Sequence, residues 1–127
     1  MKRFIFLSVA LVAIFAFTSC EQKTSIIGKW QLVAREYYLN GTMYQDEDFT
    51  EENLFWKFKE DGTVDIYSNN EFNGTGTYTF DGKILVIAGD EDSETWEVIE
   101  LTSKTLKWIF PGAESANAVH WIFKKVK

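Results

Sequence analysis

The chain has 127 residues, of which 46% are hydrophobic and 17% aromatic, and its formal net charge is −6. This length fits one domain around a single core and excludes a second domain. The acidic balance argues against nucleic-acid binding, which depends on Lys and Arg neutralising phosphates, and the single cysteine leaves no partner for an internal disulfide.

The first 25 residues have the pattern of an export signal followed by a short tether. Lys2 and Arg3 precede a mostly apolar run, 4–17, and then Thr18 and Ser19. A basic start, a short apolar segment and small residues before a cut site are typical of a secretory signal, and the run is shorter than the about 20 residues that span a bilayer. We predict a signal peptide over 1–19, a tether over 20–25 and the folded body over 26–127.

Cys20, the only cysteine, stands where this signal ends. Its position resembles the bacterial lipoprotein signal, which implies that Cys20 becomes the first mature residue and carries diacylglyceryl and N-acyl lipid. Glu21 in place of aspartate implies sorting to the outer membrane of the cell envelope, on either its periplasmic or its surface face. The alternatives are an ordinary secretory signal and an uncleaved anchor. Loss of Lys2 and Arg3 would change the net charge from −6 to −8.

The body reads as a series of antiparallel strand pairs. Thr75, Thr77 and Thr79 alternate with Tyr78 and Phe80, which places the two sets on opposite faces of a strand. Asp-Gly at 61–62 and at 81–82 separates such runs, a strong hairpin signal. The pattern predicts eight strands, at 28–39, 54–60, 63–67, two within 74–89, 94–101, 105–110 and 118–126.

The connections between these strands alternate in length. Tight turns are expected at 61–62, 81–82 and 102–104, and longer connections at 40–53, 68–73, 88–93 and 111–117, the first with a helical turn starting at Thr50. In an up-and-down meander the four longer connections share one rim. This favours an all-β, eight-stranded antiparallel up-and-down barrel over a Greek-key sandwich.

Large aromatic residues fall on the strand parity that we assign to the barrel interior. In the first strand, Trp30, Leu32 and Ala34 would face inward and Arg35 outward, while Phe58, Phe80, Phe110 and Phe123 are further inward-facing aromatics. Either these rings simply fill the core or they line a small cavity, because eight strands enclose little space. The predicted lining of such a cavity is Trp30, Trp56, Tyr78, Trp96, Trp108 and Trp121.

Several blocks resemble a known family. Gly28-Lys29-Trp30 is similar to the Gly-x-Trp signature of lipocalins, and 58–64, 76–82 and 96–106 are similar to blocks of small bacterial lipocalin-like lipoproteins. The resemblance extends over 26–127 and implies a lipid-tethered, eight-stranded barrel. The chain is shorter than a typical lipocalin and has neither its C-terminal helix nor its disulfide.

Residue patterns for catalysis or metal binding are weak. His120, the only histidine, shares the outward parity and is expected to face solvent, and one histidine cannot supply a zinc site. Asp90, Asp92 and Glu94 have the spacing that begins a calcium loop, but Thr95 and Leu101 occupy its glycine and final glutamate positions. We therefore expect a protein that is not an enzyme and binds neither metal nor cofactor.

The longer connections are rich in acidic residues. On one rim they would give the barrel a negative mouth that attracts cationic ligands or basic proteins, although acidic residues also serve solubility alone. The leading hypothesis is a binding protein for a neutral or cationic small molecule, and the alternative is a module or inhibitor that binds a cationic protein. At the other end, Lys124, Lys125 and Lys127 would lie near the headgroups. The predicted acidic rim is Asp46, Glu47, Asp48, Glu51, Glu52, Asp90, Glu91 and Asp92.

Overall fold

The computed structural model describes residues 25–127. The predicted signal peptide and Cys20 lie outside these residues. The strands are β1 (Gly28–Leu39), β2 (Thr42–Asp48), β3 (Phe55–Phe58), β4 (Thr63–Ser68), β5 (Glu71–Phe80), β6 (Ile84–Ala88), β7 (Ser93–Leu101), β8 (Thr105–Ile109) and β9 (Val119–Val126). One-turn 3-10 helices are formed by Thr50–Glu52 and Ser115–Asn117. No helix within 25–127 has the length and apolar character needed to cross a membrane.

Eight of these strands close into an antiparallel barrel, which confirms the predicted architecture. The sheet order is β2-β1-β3-β4-β5-β6-β7-β8-β9, and β9 also pairs with β1. Because neighbouring strands of the barrel are antiparallel, successive turns alternate between the two ends of the barrel. We call the end that carries the β1–β2, β4–β5, β6–β7 and β8–β9 connections the upper rim, and the opposite end the base.

The extra strand, β2, lies inside the segment that the sequence suggested was a loop. It pairs with the upper half of β1, from Ala34 to Leu39, whereas β3 pairs with the lower part, from Gly28 to Gln31. The two strands therefore follow one another along β1, with the Thr50–Glu52 turn between them. This turn lies beside the β4–β5 turn, because the carbonyl of Glu52 accepts a hydrogen bond from the Asn69 amide at 3.2 Å.

Two predicted connections are shorter than expected. β1 and β2 are joined at Asn40-Gly41, and β4 and β5 at Asn69-Asn70, with φ values of 52°, 81°, 55° and 66° in that order. Consecutive positive φ angles are what a two-residue type I′ hairpin turn requires. β5 consequently begins at Glu71, three residues before the predicted strand.

A bulge in β1 changes which side chains face inward. Leu32 pairs with Phe123, but the next registered pair on β1 is Ala34 with Ile122, so Val33 is extra. One inserted residue reverses the alternation of a strand. Arg35 pairs with Trp121 and faces the interior, so the prediction that Ala34 points inward and Arg35 outward was wrong.

The core fills the lower part of the barrel. Trp30, Leu85, Leu106 and Phe123 are fully buried, and the Trp30 indole N–H donates to the Ile26 carbonyl at 2.8 Å. All five tryptophans belong to this core or pack against it. Burying each large apolar side chain contributes about 1.5–3 kcal/mol, so these rings dominate the stability of the barrel.

Candidate functional site

A cavity of about 270 Å³ lies in the upper part of the barrel, above the sealed core. Its walls combine four tryptophans, further residues from the segments where β1, β2 and β3 meet, and Glu94 from β7. The lining consists of Leu32, Arg35, Phe49, Leu54, Trp56, Glu94, Trp96, Trp108 and Trp121. Phe49 and Leu54 flank the turn that interrupts the wall between β2 and β3, so this interruption forms one side of the cavity.

The tryptophans form a connected aromatic wall. Trp96 stacks on Trp108 with ring centroids 5.3 Å apart and on Phe110 at 5.1 Å, and it contacts Trp121 at 4.9 Å in a tilted arrangement. Trp56 packs edge-on against Trp108 at 6.2 Å. Such pairs contribute about 0.5–1.5 kcal/mol beyond area burial, and they hold the rings in place around the cavity.

Phe110 occupies the rim rather than the interior predicted for it. It is 58% exposed, because β8 ends at Ile109 and the chain turns away toward Gly112. Its ring covers the outer side of Trp96. Phe110 therefore extends the aromatic wall to the surface of the upper rim.

Arg35 is held in a fixed position at the cavity. Its guanidinium carbon lies 4.8 Å from the centre of the Phe49 ring and 5.2 Å from that of Trp121. Its Nη2 and Nε atoms are 2.9 Å and 3.1 Å from Oε1 of Glu47. Since the cation contacts two aromatic rings and a carboxylate, its charge is locally balanced.

Glu47 is fixed from a second side. The Tyr37 hydroxyl donates to its Oε1 at 2.5 Å. This hydrogen bond, followed by the charge of Arg35, lowers the pKa of Glu47 below its ordinary value, and the same hydrogen bond raises the pKa of Tyr37. Glu47 is therefore ionised at neutral pH and engaged with Arg35.

Glu94 supplies the other charge in the lining. It lies near the start of β7, is exposed, and its Oε1 accepts a hydrogen bond from the Trp96 indole N–H at 3.3 Å. Among the charged groups at the cavity, Arg35 is balanced by Glu47 and Glu94 has no cationic partner within 25–127. The net charge of these three side chains is −1.

Trp108 has an unsatisfied polar group. Its ring is 1% exposed, and its indole N–H has no hydrogen-bond partner among residues 25–127. A buried donor without an acceptor costs about 1–3 kcal/mol.

The structure brings together four of the six aromatic residues predicted to line the cavity, namely Trp56, Trp96, Trp108 and Trp121. Trp30 lies in the sealed lower core. Tyr78 lies toward the base, where its hydroxyl donates to the Lys59 carbonyl at 2.8 Å. Neither residue lines the cavity, although Trp30 pairs directly with Trp56 across β1 and β3.

The predicted acidic residues are spread over three segments of the upper half. Asp46, Glu47 and Asp48 lie on β2, Glu51 and Glu52 on the 3-10 turn, and 90–92 on the β6–β7 connection. Glu47 is half-buried, and the other seven are exposed. Within 25–127, no three His, Cys, Asp or Glu side chains are grouped so that they could hold a metal ion.

His120 is buried, which corrects the expectation that it faces solvent. It is 8% exposed, its Nε2 lies 2.7 Å from the Ser115 carbonyl oxygen, and its ring packs against Tyr38 at 4.2 Å. The outward parity was right, but the Ser115–Asn117 turn folds over the outer wall and covers the ring. His120 therefore attaches the β8–β9 connection to the barrel.

Sequence reasoning missed Arg35, Phe49 and Leu54 as lining residues. The bulge at Val33 that turns Arg35 inward leaves no signal in the pattern of polar and apolar residues. The hairpin of β1 and β2 was detectable in principle, because Asn40-Gly41 is a strong hairpin dipeptide and would have indicated a strand within the predicted loop.

Comparisons with known proteins agree with this geometry. A family model described as a lipocalin-like domain matches residues 26–108. Among solved structures, a lipocalin-like protein from Bacteroides uniformis superposes with a TM-score of 0.56 at 21% identity, covering 80% of this chain and 98% of that one. No match was found among curated proteins. At this identity the structural likeness concerns the fold.

Proposed function

Because the chain belongs to the lipocalin-like family, whose members are generally binding proteins rather than enzymes, we propose that it is a membrane-tethered binding protein without catalytic activity. Its ligand is a small, planar, neutral or cationic molecule held in the upper cavity. The observation that carries this proposal is the cavity lined by Trp56, Trp96, Trp108 and Trp121 beside the exposed carboxylate of Glu94.

The size and walls of the cavity define the kind of ligand. Its volume of about 270 Å³ is just below the about 300–1,000 Å³ of pockets for drug-sized molecules. The sealed core beneath it leaves no room for a long chain. Flat aromatic walls favour a ring of one or two fused cycles.

Charge supports a neutral or cationic ligand. Arg35 is engaged with Glu47, so a ligand carboxylate would have to compete with a fixed carboxylate at 2.9 Å. Glu94 and the exposed acidic residues of the upper half add negative potential, which concentrates cations and repels anions, most strongly at low salt. A cation over the face of a tryptophan gains a further about 0.5–2 kcal/mol.

The tether and the location are also part of the proposal. We place the protein in the cell envelope, anchored to the outer membrane by lipid on Cys20. The described chain enters the barrel at the base, where 25–27 lie against the β5–β6 turn. The cavity opens toward the opposite end, so the ligand would approach from the side that faces away from the anchor.

Tryptophan fluorescence tests the proposal. N-methylquinolinium, a planar cation, and quinoline, its neutral counterpart, are titrated into the protein at neutral pH. Saturable quenching by either probe is expected, and replacing Trp121 by Leu should weaken it because this change removes one wall. Tyr78→Phe, a change near the base, is the control and should bind like the original chain. Linear quenching alone, in all three proteins, would reject the site.

An alternative is binding of a cationic protein through the acidic segments. The β1–β2 hairpin favours it, because Leu39, Met43 and Tyr44 are 59%, 45% and 64% exposed next to Asp46 and Asp48. Exposed apolar residues with adjacent charges are common in protein interfaces. Pull-down from cell envelope at low and high salt discriminates: a protein partner that is lost at high salt supports the alternative.

A further inference from the structure

The base of the barrel carries a lysine-rich groove. It has a volume of about 470 Å³ and is lined by Ser103, Lys104, Thr105, Lys124, Lys125, Val126 and Lys127. The β7–β8 turn and the end of β9 meet here, since the Lys125 amide donates to the Lys104 carbonyl at 2.9 Å. Four lysine side chains and two hydroxyls thus surround one shallow depression, and no Asp or Glu side chain lines it.

These lysines are available for an external anion. All four are exposed, and the ion pairs among residues 25–127 involve Arg35, Lys59 and Lys107 instead. Of the acidic residues near the base, Glu100 pairs with Lys107 at 3.7 Å, and others lie on the other two turns. There the Asp61 and Asp81 carboxylates accept hydrogen bonds within their own turns, from the Thr63 and Lys83 amides at 3.0 Å and 2.8 Å.

The groove adjoins the point where the chain enters the barrel. The Lys125 side chain packs so closely over Gly28 that a Cβ there would meet its Cε at 2.3 Å, and the Lys125 Nζ lies 4.9 Å from the centre of the Trp30 ring. Ser25, the first described residue, is three positions before Gly28. The basic groove and the incoming chain therefore share the base.

We infer that this groove binds the phosphates of anionic lipid headgroups and seats the barrel base-down on the membrane. The inference rests on the proposed lipid tether. From Cys20 to Ser25 the chain can span at most about 18 Å, so the lysines are kept within a few Debye lengths of about 8 Å from the surface. Phosphate is the anion that a cluster of lysines and hydroxyls recognises, and the membrane supplies it at high local concentration.

The charge of the whole molecule makes this orientation specific. With Lys2 and Arg3 removed, the net charge changes from −6 to −8, so the protein as a whole is repelled by an anionic surface. Only the lysine groove is attracted, while the acidic β2 and β6–β7 segments at the opposite rim are pushed away. The seated barrel would present its upper cavity to the surrounding solution.

Flotation with vesicles tests the inference. Residues 25–127 contain every described strand and the whole core cluster, so this segment is used without the tether, after circular dichroism has shown that it is folded. It should bind vesicles of phosphatidylcholine with phosphatidylglycerol and not vesicles of phosphatidylcholine alone. Equal binding to both would indicate apolar insertion and overturn the inference, as would binding to neither.

Two triple variants change the net charge equally at opposite ends. Replacing Lys104, Lys124 and Lys127 by Gln should weaken binding to anionic vesicles by about 100-fold, since each lysine near such a surface contributes about five-fold. Adding acidic residues at the upper end, by Thr42→Glu, Gln45→Glu and Asn70→Asp, should change it by only a few-fold. Equal losses would show that net charge rather than the groove governs binding.

Two further readouts complete the test. Inorganic phosphate that bound the groove tightly, with no vesicle binding, would assign it to a free anion and overturn the inference. In the full chain reconstituted into the same vesicles, amine labelling should be suppressed at Lys124 and Lys127 and unchanged at Lys107 on the outer wall. Quinolinium titration of the lysine variant should be unaltered, so failure of the groove and failure of the upper cavity are separable.

Discussion

The charges at the upper cavity predict opposite changes in the affinity for a cationic probe when two different residues are replaced. Arg35 and Glu94 both line the cavity and carry opposite charges. Arg35→Gln removes the cation and leaves both Glu47 and Glu94, whereas Glu94→Gln removes the carboxylate and leaves the Arg35–Glu47 pair intact. A cationic probe should therefore bind more tightly to the first variant and more weakly to the second.

The magnitude follows from the geometry. A probe stacked on the face of Trp121 opposite Arg35 has its charge further from the guanidinium than the 5.2 Å that separates the guanidinium from the centre of this ring, so the energy at about 5 Å is an upper bound. Two unit charges about 5 Å apart interact by about 0.8 kcal/mol in water and about 3 kcal/mol at an effective dielectric constant of about 20. Because the site is open on one side, we expect about 1 kcal/mol, which is about five-fold in Kd.

The assay is calorimetric or fluorescence titration of both variants with N-methylquinolinium and with quinoline. The neutral probe should bind both variants and the original chain within a factor of about two, since the Coulomb energy applies only to charge. Shifts in the same direction for Arg35→Gln and Glu94→Gln, or equal shifts for the two probes, would refute the electrostatic account. Thermal unfolding of each variant checks that the barrel is intact.

Two further predictions concern stability. Gly76→Ala should destabilise the protein by about 1–3 kcal/mol, because a Cβ there would lie 2.6 Å from the Ala88 carbonyl oxygen. Gly89→Ala, whose Cβ would have its nearest contact at 3.8 Å, should change the free energy of urea unfolding little. Equal effects of the two changes would contradict the close approach of β5 and β6. The pKa of Asp65 is lowered by the Thr75 hydroxyl, which donates at 2.7 Å, and by Lys59. A carboxylate whose pKa is lowered in the folded state stabilises the protein at pH values above its unfolded pKa, and this stabilisation is lost as the pH falls. Asp65→Asn should therefore lower the free energy of unfolding by about 1–3 kcal/mol at neutral pH and by progressively less below the ordinary pKa of 3.8. A loss of stability that does not depend on pH would contradict this role.

The closed barrel was predictable because its strands follow simple local rules. The alternation around Tyr78 and Phe80 and the two Asp-Gly turns predicted consecutive antiparallel strands. The order of long and short connections predicted which connections lie at the same end of the barrel. β2 escaped prediction because its sequence, Thr-Met-Tyr-Gln-Asp-Glu-Asp, has no buried residue along its length and so lacks the apolar alternation that marks a half-buried strand.

The composition of the cavity was only partly predictable, since the packing between distant segments decides which inward side chains border open space. Parity shows that Trp30 and Trp56 both face inward, and they pair directly across β1 and β3, yet only Trp56 reaches the cavity. Arg35 was assigned to the wrong face because the bulge at Val33 depends on the register between β1 and β9. His120 was misjudged because its cover comes from a turn that carries no hydrophobic signal.

The proposal that the tryptophan-lined cavity binds a planar molecule is tested most directly by the five indole N–H signals in the NMR spectrum during titration with N-methylquinolinium. The account predicts that the signals of Trp96, Trp108 and Trp121 shift and saturate together. The Trp30 signal, whose N–H is bonded to Ile26 in the sealed core, should stay in place. No saturable shift at any indole, or a shift of Trp30 as large as that of Trp108, would contradict the account.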